Sequence, residues 1–278
     1  MSNGTSGTIY AYRGTYDKDR FAKGYESSFA HIQKFNKASV QELVSVLSMI
    51  EVDKRIIDLR WTAYMLATMF IETSHTVRMG RGHHGKKVWR NFAPVEEVGH
   101  GRGHAYYFPA KVKRLHGGDA RVTEWAGGQW TVNGHNGTLT PLSRGMGAPH
   151  NRSAVMGAAY SQDDGIPNRY FGRGYVQLTW WDNYAKAGVT ISRGLALLFN
   201  PDLLLDPQVA YQVMATGMAT GQGFANGRKF SQYFDGKSDY VHARNMVNPG
   251  AKLANKKEVA DIAERFEGVL LASRSSPP

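Results

Sequence analysis

Cysteine is absent from the 278 residues. This excludes a disulfide-stapled scaffold and every metal site built on thiolates. Long apolar runs are also missing. The longest, Ala63 to Ile71, is broken by Thr68 and is about half the length a bilayer-crossing helix needs, so no stable membrane insertion is expected. The opening stretch, MSNGTSGTIYAYRGTYDKDR, has no charged segment leading into an apolar one. The expectation is therefore a chain without a signal peptide, made in a cytoplasm. The Asn-X-Ser/Thr triplets at Asn3, Asn136 and Asn151 then read as chance matches. Acidic residues are outnumbered, 23 against 34 basic ones, which leaves a net charge of +11 and an isoelectric point near 9.7. Such a balance favours polyanionic partners. What the chain does have is core material: 42% hydrophobic residues with 6 Trp, 14 Tyr and 12 Phe, enough to exclude global disorder.

Residues 1–37 are polar, with scattered aromatics and no clear period, and read as an extension packed on or flanking a domain over 38–272. A helix is expected from Ser39, with Ser39 and Glu42 as a capping box and Val40, Leu43, Val44, Leu47 and Ile50 at helical spacing. A second helix is expected over about Asp58 to Thr76, which has no Gly or Pro. Residues 78–165 turn to Gly, His, Arg and Lys and read as a long basic insertion of loops and short hairpins. Strand-like pieces lie near Ala105–Phe108 and Trp130–Val132, and a loop over 161–173 follows. Further helices are expected from Thr179 to Ala187 with Gly188 behind it, from Asp206–Pro207 to near Gly221, and from Asn255 with Glu258 three residues on. The tail, 273–278, should fray. The fold class is mainly α (α+β), with a loop region framed by helices where a substrate cleft commonly lies.

Glu72 is the most telling acid. It shares a helical face with Trp61, Met65, Thr68 and Met69, and a carboxyl on an apolar face is desolvated and holds its proton to higher pH, as a general acid must. The alternative is a helix-end residue pointing into water. Glu96 and Glu97 are adjacent loop acids, ordinarily just solvated. A glycosidase of the inverting type, however, needs a second carboxylate about 6.5–9.5 Å from the first with a water between. Thr179, with Asp182 three residues later, reads as a helix N-cap, a role its hydroxyl can combine with others because it both accepts and donates. His83, His84, His100 and His104 cluster, but no His-Glu-X-X-His or acidic partner at ligand spacing accompanies them, and Glu72-X-X-His75 lacks a second half, so no metal is expected. Gly80–Gly85, GRGHHG, follows a helix rather than a strand and is not a dinucleotide loop. Arg78, Arg81, Lys86, Lys87, Arg90, Arg102, Lys111, Lys113 and Arg114, interleaved with Trp89, Tyr106, Tyr107 and Phe108, fit a solvated face, a nucleic-acid surface or an anionic glycan surface.

The segment Tyr170 to Gly188, YFGRGYVQLTWWDNYAKAG, resembles the signature of glycoside hydrolase family 19 through Gly172, Arg173, Gly174, Gln177, Leu178, Thr179, Asn183 and Tyr184. Its Tyr-Val-Gln-Leu-Thr-Trp form is similar to the cell-wall lysin branch of bacteria and phages. Ala63 to Thr76 resembles the family's acid-bearing helix, with Ile71 where a His is usual. Phe92 to Gly103 resembles its second-acid loop, Asn200 to Ala210 its Asn-Pro-Asp-Leu segment, and Met246 to Gly250 its Ile-Asn-Gly-Gly turn. The resemblance implies a lysozyme-like α fold of two lobes with a cleft, and cleavage of β-1,4 bonds between N-acetylated amino sugars with inversion and no cofactor. It implies Glu72 as acid, Glu97 or its neighbour Glu96 as base, Thr179 as water ligand, and Gln177, Asn183, Tyr184 and Asn248 as sugar contacts. The implied partner is bacterial peptidoglycan rather than nucleic acid, met by a monomeric endolysin once a membrane lesion lets it reach the wall. A chitinase on the same fold, and a wall-binding or virion protein with a decayed site, are the alternatives.

Overall fold

Asp58 starts the central helix. Its carboxylate accepts from the Arg60 backbone N–H at 2.8 Å and from the Arg60 guanidinium Nη2 at 2.5 Å, which caps the first turn with a paired charge. A computed structural model describes residues 14–30, 32, 37–78, 86–90, 92–101, 106, 121–126, 129–134, 137–138 and 170–275. Their elements run α1 (Lys18–Phe29), α2 (Lys37–Val52), α3 (Leu59–Glu72), β1 (Ser74–Arg78), β2 (Lys86–Arg90), β3 (Arg121–Ala126), β4 (Gln129–Gly134), β5 (Gly137–Thr138), α4 (Trp181–Thr190), α5 (Ala196–Phe199), a 3-10 turn (Pro201–Leu205), α6 (Pro207–Thr220), α7 (Ser231–Phe234), α8 (Tyr240–Ala243) and α9 (Leu253–Ser273). The fold is mainly helical, as expected. Among the described residues no helix is long and apolar enough to cross a membrane. The chain forms two compact units, Met1–Phe92 with Phe230–Pro278, and Ala93–Lys229.

The first unit is built on α3 and α9. From Leu59 to Phe70, α3 buries every residue except Trp61, which stacks on Phe230 at 4.9 Å. Its far end meets an aromatic cluster in which Tyr25 stacks on Phe266 at 5.8 Å, Phe29 lies 4.8 Å from Phe266, and Phe70 and Phe92 close the sides. Truncating a fully buried ring such as Phe266 to Ala should cost about 3–5 kcal/mol. Arg60 donates to the Phe234 and Lys237 carbonyls at 2.8 and 2.9 Å, which fastens the 230–238 segment to the start of α3. β1 and β2 pair antiparallel, with Ser74 opposite Arg90.

The expected boundary after residue 37 is not where this core begins. Phe21, Tyr25 and Phe29 stand four residues apart on α1 and are fully buried, so α1 is part of the core. A Cβ on Gly24 would come within 3.1 Å of Val269, which is why α1 and α9 pack so closely there. The Asp17 N–H donates to the Ser273 carbonyl at 2.8 Å, and the Ser275 N–H donates to Thr15 at 2.9 Å.

In the second unit, β3 pairs antiparallel with β4, with a register shift between Val122 and Glu124, and β5 pairs with β4. The expected strand near Trp130–Val132 is thus part of β4. Asp206 caps α6 by accepting from the Gln208 and Val209 N–H groups, and Gly221 ends it at φ 78°, both as the sequence implies. Three other cap assignments need correction. α2 starts at Lys37, so Ser39 lies buried inside it. α4 starts at Trp181 and runs past Gly188, so Thr179 is not its cap. Gly188 instead admits the Gly194 carbonyl, which would lie 2.4 Å from a Cβ. α9 starts at Leu253, and Asn255 accepts from Arg244 rather than capping. The second helix ends at Glu72, not Thr76, because β1 begins at Ser74. Several expectations lie outside the described residues: the strand near Ala105–Phe108 except Tyr106, most of the 78–165 insertion, the loop over 161–169, the triplets at Asn3, Asn136 and Asn151, and residues 276–278.

Candidate active site

Glu72 closes α3, in the first unit. Tyr64, Thr68 and Glu72 follow one another at four-residue steps, so a polar line runs down an otherwise apolar helix. Tyr64 and Thr68 are fully buried, while the Glu72 side chain keeps 16% of its surface exposed. Its Oε1 accepts from Arg244 Nη2 at 2.5 Å. Arg244 comes from the 3-10 turn Arg244–Met246, is buried, and donates through Nε to Asn255 Oδ1 at 3.1 Å. Its Nη1 is buried with no hydrogen-bond partner among the described residues. Burial pushes the Glu72 carboxyl above its ordinary value, and the Arg244 charge and hydrogen bond only partly offset that. The result is an acid that holds its proton longer than a solvated one, yet is open enough to pass it on. Just beyond the helix, the Thr73 hydroxyl donates to the Met69 carbonyl at 2.7 Å and accepts from the Phe92 N–H at 3.2 Å, which fixes the chain on either side of the acid.

The second unit treats its two neighbouring acids differently. The Glu97 N–H donates to the Gly172 carbonyl at 2.7 Å, and the Gly172 N–H donates back to Glu97 Oε2 at 2.9 Å. Oε1 takes no part in that clasp. A Cβ at Gly172 would sit 2.7 Å from Gln177 Oε1 and 3.3 Å from the Glu97 Cβ, so a larger residue would displace the Gln177 side chain and crowd the clasp. Glu96 instead accepts from Arg173 Nε at 3.0 Å and lies 3.3 Å from His100 Nε2. Arg173 is a buried hub. Its Nη2 reaches Asp202 at 3.0 Å, its Nη1 donates to the Tyr184 hydroxyl at 3.3 Å, and its guanidinium covers the Phe171 ring at 3.8 Å. Glu96 is thereby committed to holding the loop, whereas among the described residues the Glu97 carboxylate meets only Gly172, through Oε2 in the clasp.

The remaining expected residues separate by unit. Gln177, Thr179, Asn183 and Tyr184 lie with Glu97 in the second, and Asn248 lies with Glu72 in the first, exposed and four residues past Arg244. Gln177 donates to the Val95 and Gly174 carbonyls at 3.0 and 3.2 Å, so its amide nitrogen holds the loop. Asn183 donates to the Thr179 carbonyl at 2.9 Å. Tyr184 is a correction: it is fully enclosed and its hydroxyl donates to the Phe171 carbonyl at 2.6 Å, so it cannot reach a sugar. Thr179 is half-buried and is bracketed by two non-glycine residues with positive φ, Gln177 at 47° and Trp180 at 73°. Such backbone costs of order 1–3 kcal/mol per residue and persists only where the surroundings over-determine it. His83, His84, His104, the GRGHHG segment, and Arg81, Arg102, Lys111, Lys113, Arg114, Tyr107 and Phe108 lie outside the described residues, as do the side chains of His75, Arg78, Lys86, Lys87, Trp89 and Arg90.

Arg244 and the hub role of Arg173 were not legible in the sequence, since neither has a periodic or spaced partner. Against known proteins, the chain matches no family model, no curated protein and no solved structure.

Proposed function

We propose that the chain is a glycoside hydrolase acting on bacterial peptidoglycan, an endolysin of the lysozyme-like fold, with Glu72 as proton donor and Glu97 as base. The observation that carries this reading is the Glu72 carboxyl: it sits at the end of a buried helix, is raised by burial and is braced by Arg244, yet keeps part of its surface open. Support also comes from the family 19 signature over Tyr170 to Gly188. In this reading Glu72 protonates the glycosidic oxygen as the bond to the anomeric carbon breaks. Glu97 takes a proton from a water held with the help of Thr179, and that water attacks the opposite face, giving inversion without a covalent intermediate. Gln177, through its Oε1, Asn183 and Asn248 contact sugar. The net charge of +11 favours an anionic wall over neutral chitin. The protein acts as a monomer, without a cofactor, after a membrane lesion gives it access to the wall.

The test is digestion of purified peptidoglycan in heavy-oxygen water, with chitin oligomers in parallel and products read by mass spectrometry. Label on new reducing ends, with the α-anomer formed first, is the expected result. Unlabelled 1,6-anhydro ends would leave Glu97 without a role, because the sugar's own hydroxyl would replace the water. Wall binding without cleavage would favour a decayed site.

A further inference from the structure

His100 meets Glu96 through its side chain, but its backbone belongs to the turn that carries Glu97. Its φ is 50°, between Gly99 at 88° and Gly101 at 70°, so three left-handed residues follow one another. Glycine takes that conformation freely, whereas a residue with a Cβ is strained in it and persists only where its surroundings hold it. The His100 N–H donates to the Glu97 carbonyl at 3.0 Å, which closes the turn over 97–100. The imidazole stacks on the buried Phe171 ring at 4.8 Å and 22°, and its Nε2 lies 3.3 Å from Glu96 Oε2. Phe171 immediately precedes Gly172, the partner of Glu97 in the clasp. Two side-chain links therefore cross between the segment of the acids and the segment of Gly172. Glu96 reaches across to Arg173 at 3.0 Å, and His100 reaches across to Phe171. All of these residues belong to the second unit.

We propose that His100 is a positioning residue that holds the Glu97–Gly172 clasp closed, through its ring stacked on Phe171 and its Nε2 against Glu96. The effect on rate rests on the function proposed above. The Arg173 link fixes the clasp from the buried hub, and the His100 link fixes it from the exposed side. Gly172 can move away from Glu97 only if Phe171 slides relative to the turn, and the stacked imidazole resists that slide. A base that keeps its place needs no reorganisation during the reaction, which is where orientation contributes to rate.

The experiment compares wild type with His100→Gly and His100→Asn. Both replacements suit a left-handed backbone and keep the turn bond, but neither can stack on Phe171. His100 is exposed, so its removal opens no cavity in the core. Amide hydrogen exchange, read by NMR, needs no activity. The Gly172 and Glu97 N–H groups should exchange roughly tenfold faster in both variants, with the rest of the second unit unchanged. On purified peptidoglycan kcat should fall roughly tenfold with KM little changed, because placement of the base acts on the chemical step. Unchanged exchange at the clasp would overturn the inference. So would faster exchange throughout the second unit, which marks a residue on which the whole unit depends. Faster exchange at the clasp with unchanged kcat would overturn it too, since the clasp would then not bear on the reaction. An inactive wild type would overturn the proposed function instead, and the exchange rates would still decide whether His100 holds the clasp.

Discussion

Glu72 and Glu97 are both fixed by nitrogen donors, and the donors differ in kind. Glu72 ends a rigid helix in an apolar setting, and its partner is the full charge of Arg244. Glu97 sits in a loop, and its partner is the neutral N–H of Gly172, within a clasp whose return bond joins the two backbones. Burial sets how tightly Glu72 holds a proton, whereas the clasp sets where the Glu97 oxygens lie. A charged partner changes the balance between protonation states, and a backbone partner mostly fixes geometry. The sequence offers two similar acids, and the fold gives them opposite surroundings.

The comparison breaks most sharply at Glu72. Glu72→Gln should lower wall hydrolysis by about 10²- to 10⁴-fold, the usual contribution of a proton donor, with the fold retained by circular dichroism. The same variant bears on stability. The folded carboxyl titrates above its ordinary value of 4.5, so the native state holds a proton that the unfolded state has lost. That stabilisation is complete at low pH and fades as pH rises from about 4.5 through the folded value. Denaturant titrations across that range should show a downward slope in wild type and a flatter one in Glu72→Gln.

At the loop pair, Glu97→Gln should fall by roughly 10²-fold or more, while Glu96→Gln should stay within about tenfold and lose stability instead, because it loosens the Arg173 hub. A dead Glu96→Gln beside an active Glu97→Gln would reverse the assignment.

Arg244→Met tests the charged partner directly. Losing the guanidinium removes what holds the Glu72 pKa down, so the alkaline limb of the pH–rate profile should move to higher pH. Because Glu72 can take up a proton, the stability cost should lie near about 1–3 kcal/mol, below that of stranding a buried charge. The smallest expected effect is structural. Since Thr179 is not the cap of α4, Thr179→Ala should change unfolding free energy by less than about 0.5 kcal/mol while lowering kcat. A loss near 1 kcal/mol would restore a capping role.

Periodicity made α2 and the inner face of α9 legible, because their apolar residues repeat over several turns, while α3 was legible from a run free of Gly and Pro and α6 from Asp206–Pro207 and Gly221 at its ends. It missed α1, where Phe21, Tyr25 and Phe29 carry the buried face alone among polar neighbours. It also misplaced three caps. Ser39, Thr179 and Asn255 are all good cap residues, but hydroxyl and amide side chains bond equally well inside helices and across loops. Glu72 was legible because an acid on an apolar face conflicts with its surroundings. The choice between Glu96 and Glu97 was not, since it depends on a glycine and an arginine some 75 residues away in the chain. The enclosure of Tyr184 was hidden for the same reason, as its partners Arg173 and Phe171 close around it only in three dimensions.

The aromatic centre of the first unit has a consequence for the order of assembly. Phe21, Tyr25, Phe29 and Phe70 are synthesised early, but the ring that joins them, Phe266, comes nearly 200 residues after Phe70. On a ribosome adding roughly 5–20 residues per second, these side chains wait on the order of ten seconds or more without their partner. The second unit, contiguous in sequence, can close in that interval. Assembly thus finishes with the seating of α9, and a chain stopped before Leu253 would leave the helix bearing Glu72 without the surface that buries it.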